Sequence, residues 1–207
     1  MNLSEDRKQP SRDILLHGAE PASSWVQRWS QLVKPGGVVL DVACGYGRHA
    51  IWLYAQNHPV VLVDRSRDAI ESVAKVIPAS ACEAVVADIE NGPWPFADRQ
   101  FDAVVVTNYL WRPLVPRLLA SLAPGGVLIY ETFTQGNESV GKPSRPDFLL
   151  RTGELPVMCS GLRIVAFEDG FDAGPQGQSP RFVQRIVAVR EAATSTDRSE
   201  PPRYQLP

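Results

Sequence analysis

With 207 residues, 44% of them hydrophobic and 21% charged, the chain has the composition of an ordinary globular domain and enough length for one sizeable core. Its net charge of −2 gives no electrostatic reason to expect nucleic acid as a partner, and no apolar run approaches the ~20 residues that span a bilayer. Cys44, Cys82 and Cys159 are odd in number and widely spaced, so neither a disulfide framework nor a metal site is expected. The polar amino terminus lacks the apolar core of a secretion signal, which makes a cytoplasmic protein the expectation.

Residues 1–18 read as a flexible polar arm, 19–190 as one domain, and the proline-rich 191–207 as a disordered tail. The domain opens with a helix in which Trp25, Val26, Trp29, Leu32 and Val33 share a face and Ser23 or Ser24 caps the start. "KPGG" ends it and launches a first strand, Val38 to Val42, which breaks into the glycine-rich "ACGYG". A helix from Arg48 to Gln56 leads to a second strand, "VVLVD", and Ser66 caps a second amphipathic helix, "SRDAIESVAKVI". "CEAVVAD" and "FDAVVVTN" are strands three and four, and a helix beginning near Pro113 precedes "APGG" and the fifth strand, "VLIYET". Alternation at this spacing implies a parallel sheet with right-handed crossovers. An irregular connector, Phe133 to Gly153, then leads through a short helix to "LRIVAFED" and "RFVQRIVAVR". The loop between these two is too short for a crossover helix, so they should pair antiparallel. The expected fold is α/β: a Rossmann-like three-layer sandwich, seven-stranded and mostly parallel, with an antiparallel carboxyl-terminal hairpin.

A strand that runs into a glycine bend presents backbone to a nucleotide-like ligand, and Gly45 to Ala50 also satisfies the G-x-G-x-x-A form of the dinucleotide fingerprint. An NAD-linked oxidoreductase is therefore one reading. Against it stands Asp41, an acid just ahead of the loop where a pyrophosphate would be repelled.

The motif series resembles the class I methyltransferases that use S-adenosylmethionine. "VLDVACGYG" is similar to their first motif, Asp64 to their ribose-binding acid, and "ADIE" to their adenine-contacting motif. "WPFADRQFDAVVVTNYL" and "LAPGGVLIYETF" resemble their runs into strands four and five, and "GKPSRPDFLLRTGEL" looks like the corresponding stretch in small bacterial tellurite-resistance-type methyltransferases. One departure is Ala43, which stands where the fullest motif has glycine. The resemblance implies that S-adenosylmethionine is held by Asp41, Ala43, Gly45, Tyr46, Gly47, Asp64, Arg65, Asp88, Ile89 and Asn108. It also implies in-line methyl transfer to a small-molecule acceptor whose class stays open among thiol, oxyanion, amine and carboxylate. A cofactor-binding protein without transfer activity is the remaining alternative.

Tyr109, Trp111 and Arg112 follow strand four, where this family places substrate-facing groups, although the aromatics could equally pack beneath a helix. Tyr109 and His17 are the candidates for a catalytic base; His58 falls at the wrong end of the sheet, and His49 is expected to point away on its helix. Cys44 reads as a small buried side chain. "TNYLW" lacks the two prolines of the N-P-P-Y motif of amino-group methyltransferases. Lys142, Arg145 and Arg151 bias the connector toward an anionic substrate, or simply toward water. The chain should act as a monomer or homodimer.

Overall fold

The structure is a computed structural model and describes residues 20–174, 179–192 and 202–207. Its centre is a seven-stranded sheet in the order β3-β2-β1-β4-β5-β7-β6. The strands are β1 (Val39–Val42), β2 (Val60–Asp64), β3 (Cys82–Val86), β4 (Phe101–Thr107), β5 (Leu122–Phe133), β6 (Arg163–Asp172) and β7 (Arg181–Val189). The first five pair in parallel, whereas β7 runs antiparallel to both β5 and β6. The expected fold class and terminal hairpin are found.

Alternation along the central strands sends side chains to two layers. On one side α1 (Ser24–Trp29), α2 (Arg48–Ala55) and α3 (Arg67–Ala74) bury Trp25, Val26, Trp29, Leu53, Ile70 and Val73 against Val39, Leu62, Val105 and Ile129. On the other, α4 (Val115–Ala120), α5 (Glu154–Met158) and the loop before β4 bury Leu118, Leu155, Trp94 and Phe96 against Leu40, Val63, Val104 and Leu128. Ser23 and Ser66 do cap α1 and α3, accepting from the Trp25 and Ala69 N–H groups at 3.1 and 3.3 Å.

Several boundaries move for identifiable reasons. The helix expected to run to Ile77 ends at Ala74 with Lys75 as its cap; a last turn in which the Ile77 N–H bonds the Val73 carbonyl at 3.0 Å keeps Ile77 buried, and Pro78 bars further helix. The fourth crossover helix begins as a 3₁₀ turn, Arg112–Leu114. Strand β5 starts at Leu122 rather than Val127, since "APGG" is accommodated as a register break between the pairs Phe101–Leu122 and Ala103–Val127. Strand β6 continues past Asp169 to Asp172, which lengthens the hairpin toward the carboxyl edge of the sheet.

Of the tail, residues 193–201 lie outside the described part. Tyr204 packs beside the α1 layer, and the Gln31 side chain donates to the Gln205 carbonyl at 3.3 Å. The arm, with His17, lies outside the described residues. Among the described residues no helix is long and apolar enough to cross a membrane.

Candidate functional site

The site forms at the carboxyl edge of β1, β2, β3 and β4, where open α/β sheets bind ligands. Asp41, on β1, is 1% exposed, and neither carboxylate oxygen has a hydrogen-bond partner among the described residues. Burial pushes its carboxyl up to about 7; the Ala50 backbone and the Arg48 charge oppose this, and Asp64 adds to it. The chain then turns through three left-handed residues, Ala43 at φ 53°, Gly45 at φ 53° and Gly47 at φ 73°. A side chain on Gly47 would come within 2.5 Å of Val73, so this glycine lets the loop sit on α3. A Cβ on Gly45 would meet nothing within 4 Å, so the bend faces open space there.

Asp64 at the tip of β2 locks that bend. Its Oδ2 accepts from the Gly45 N–H and its Oδ1 from the Ser66 N–H, each at 2.8 Å. Each carboxylate oxygen keeps a further lone pair for a hydroxyl donor. Beyond it a cavity of about 200 Å³ lies between Asp64, Arg65, Asp88, Ile89 and Tyr109. Ile89 is buried on its floor. The Asp88 carboxylate closes its own turn, taking the Glu90 and Asn91 N–H groups and the Asn91 side chain at 3.0 Å, and the Asn91 bonds hold it below the usual carboxylate range. Tyr109 lines the same cavity; burial and then the nearby Glu90 charge push its hydroxyl above the ordinary tyrosine value, so it is a protonated donor and not a ready base.

On the other side of the bend lies a cavity of about 320 Å³ lined by Ala43, Tyr46, Arg48, His49, Thr107 and Asn108. His49 corrects the sequence-based expectation: it is turned inward, 2% exposed, with Nδ1 3.2 Å from the Thr107 hydroxyl. Burial, with the Arg48 charge, pushes it down to about 3, so the ring is neutral at physiological pH and a weak proton acceptor. Asn108 holds a positive φ of 53°, a conformation that asparagine tolerates and that frequently marks a functional turn. His58 binds the Gly37 carbonyl at 3.0 Å, at the amino edge of the sheet as expected.

Glu20, Arg48 and Asn108 also border a larger cleft of about 650 Å³. Its walls are α1, the connector and the ends of β6 and β7, with Phe133, Asn137, Lys142, Asp172, Arg181 and Arg185 among the lining residues. Beneath it Glu131, wholly buried on β5, accepts from the Ser23 hydroxyl at 2.8 Å and pairs with Arg185, which also binds Glu168 and Asp172. Sequence reasoning missed this network. Its signal is Glu131 inside "LIYETF" and Arg185 inside "FVQRIV", charges in strands that otherwise read as buried.

The residues after β4 divide. Arg112 faces the connector, holding Glu154 through two bonds at 2.7 and 2.9 Å and the Asp147 and Leu149 carbonyls at 2.9 Å; it is a strut, with every contact structural. Trp111 packs against the core on the α4 side. Of the connector cations, Lys142 reaches the large cleft, whereas Arg145 pairs with Asp147 and Arg151 lies outside the cleft lining. Cys44 is buried, and burial, with the Asp41 and Asp64 charges, pushes its thiol far above the ordinary value, so it is inert as a nucleophile.

Comparison with known proteins agrees with this geometry. Residues 39–126, from β1 to the start of β5, match the family described as "Methyltransferase domain". Ribosomal protein L11 methyltransferases of Burkholderia lata and Burkholderia vietnamiensis are each 36% identical over 117 residues, covering 53% of this chain. The chain spans only 36% of those relatives' length. Among solved structures, TehB from Haemophilus influenzae superposes with a TM-score of 0.67 at 15% identity, covering 80% of this chain and 61% of that one. A TehB-like methyltransferase from Corynebacterium glutamicum gives 0.61 at 18% identity, covering 85% and 92%. At these identities the structural likeness establishes the fold. Residues 39–126 are thus similar to a methyltransferase domain, within a chain that has the fold of S-adenosylmethionine-dependent methyltransferases, and S-adenosylmethionine is the cofactor this likeness implies.

Proposed function

We propose that the protein transfers a methyl group from S-adenosylmethionine to a small-molecule acceptor in the large cleft. The observation that carries this is continuity: the carboxylate-flanked bend and the 650 Å³ cleft share Glu20, Arg48 and Asn108 as a common border. The volume falls within the range of small-molecule sites.

The residues fit the cofactor on two counts. Asp41 is a buried carboxylate whose oxygens have no hydrogen-bond partner among the described residues, which an ammonium group would satisfy directly or through water, and Gly45 leaves its side-chain direction open. Asp64 would accept from the ribose hydroxyls while its backbone bonds keep it aimed. Ile89 and Tyr109 would enclose the adenine, with Asp88 and Arg65 at its rim; Tyr46 and Asn108 would flank the methionine end. Arg48, on the border of both cavities, would face the amino-acid carboxylate.

When bound, S-adenosylmethionine supplies an electrophilic methyl on a sulfonium. What remains for the chain is to orient the acceptor and exclude water, and alignment alone can supply several kcal/mol. A deprotonated acceptor needs no base, consistent with a site in which His49 and Tyr109 are both poor proton acceptors. The L11 methyltransferases are named for a ribosomal protein, but this chain spans only 36% of their length, and a polar cleft of this volume favours a small molecule here.

A labelled-methyl transfer screen over small thiols, oxyanions, amines and carboxylates tests the reading. Label should appear on a small molecule. Label on protein alone, or cofactor binding with no transfer to any acceptor, would favour a protein methyltransferase or a non-transferring binding protein.

A further inference from the structure

We infer that His49 recognises the α-ammonium group of the methyl donor, accepting a hydrogen bond through Nε2, and so makes the site selective for an intact amino-acid end. This rests on the cofactor reading proposed above. His49 lines the cavity of about 320 Å³, yet its Nε2 is buried and has no hydrogen-bond partner among the described residues. The other ring nitrogen is anchored: Nδ1 lies 3.2 Å from the Thr107 hydroxyl at the end of β4. Burial keeps the imidazole neutral, so one nitrogen carries a proton and the other is a bare acceptor. A buried N–H without an acceptor is the costlier orphan. The favoured tautomer is therefore the one in which Nδ1–H donates to Thr107 and Nε2 is bare.

A bare imidazole nitrogen attracts an N–H or O–H donor and offers nothing to a carboxylate. In the proposed pose the adenine lies in the cavity across the bend and the ribose hydroxyls lie at Asp64, which leaves the ammonium for this side. An ammonium brings three N–H donors. Asp41 offers the second acceptor. Its carboxyl sits beside the same first turn of α2, where the Ala50 backbone and the Arg48 charge both favour its ionised form. Its oxygens, like Nε2, are buried and lack a partner among the described residues. Arg48 donates to Glu20 and the Pro21 carbonyl through one terminal nitrogen, which leaves the rest of its fork for the carboxylate. Consecutive residues of one helical turn thus read the two ends of a zwitterion.

The test uses the whole protein carrying isotopically labelled histidine. It compares S-adenosylhomocysteine with its desamino analogue, which keeps the carboxylate and lacks only the ammonium. A long-range proton–nitrogen correlation, with His49 assigned by its loss in His49→Phe, should show Nδ1 protonated and Nε2 bare. S-adenosylhomocysteine should move the Nε2 resonance as the hydrogen bond forms, and the desamino analogue should leave it in place. In calorimetry His49→Phe should lose about tenfold or more in affinity for S-adenosylhomocysteine, as a hydrogen bond to a charged group implies, and little for the desamino analogue. His49→Gln, whose amide oxygen falls near the place of Nε2, should keep most of the preference. His49→Asn, whose amide reaches only as far as Nδ1, should lose it. An Nε2–H tautomer in the free or bound protein, an Nε2 resonance that S-adenosylhomocysteine does not move, or equal losses for both ligands in His49→Phe overturns the inference. Binding of neither ligand by the native protein would overturn the cofactor reading, and this inference with it. Should His49→Phe fail to fold, the Gln and Asn variants assign the resonance and carry the same decision.

Discussion

Asp41 is where the chemistry of single residues speaks most directly. A buried carboxyl with no side-chain partner among the described residues is favoured in its neutral form, and burial pushes this one from 3.8 up to about 7. Its folded pKa is raised above the unfolded one, so ionisation costs stability: the cost is absent below pH 4, grows as pH rises toward 7, and is constant above that. An ammonium group reverses the preference. Affinity for S-adenosylhomocysteine should therefore rise between pH 6 and pH 8, with proton release on binding detected by calorimetry in buffers of different ionisation enthalpy. In Asp41→Asn both the pH dependence and the proton release should vanish. Ala43 offers a second residue-level prediction. Its left-handed φ costs an L-residue roughly 1–2 kcal/mol, and glycine would return part of that gain through unfolded-chain entropy. Ala43→Gly should raise the melting temperature by about 1–2 °C, as a net gain near 0.5 kcal/mol implies for a domain of this size.

Among the elements, the glycine bend and the helices it joins depend on one close approach. A methyl on Gly47 would press on Val73 of α3 and adopt a disfavoured φ, so Gly47→Ala should destabilise by roughly 2–4 kcal/mol in urea denaturation. Glu131 ties three elements together, joining β5 to α1 through Ser23 and to β7 through Arg185. Glu131→Gln should cost about 2 kcal/mol, below the 3–5 typical of a wholly buried pair because Arg185 keeps two other carboxylates. These ties also explain what the sequence conveyed. The strands were legible because Val39–Val42, Val60–Asp64 and Phe101–Thr107 are valine-rich runs set between turn residues such as Gly37, Pro59 and Asn108. His49 was not, because helical spacing does not say which face of a short helix meets β4. Arg112 was misleading for the opposite reason: it follows the right strand, but a four-bond clamp on the connector turns it away from the cleft.

For the molecule as a whole, the division of labour follows the sheet. The proposed cofactor site lies on the parallel strands, where local motifs bring Asp41, Gly45 and Asp64 together over short sequence distances. The proposed acceptor cleft and the network beneath it join Ser23, Glu131, Asn137, Asp172, Arg181 and Arg185 from distant parts of the chain, brought together by the antiparallel return of β7 beside β5. No spacing rule announces such a cleft. The claim beneath all of this is that Asp64 and the bend it locks form the cofactor cradle. Calorimetric titration with S-adenosylhomocysteine tests it most directly. The native protein should bind one equivalent, and Asp64→Ala, which removes the ribose acceptor and frees the Gly45 N–H, should bind at least about tenfold more weakly. No binding by the native protein, or undiminished affinity in Asp64→Ala, would contradict the account.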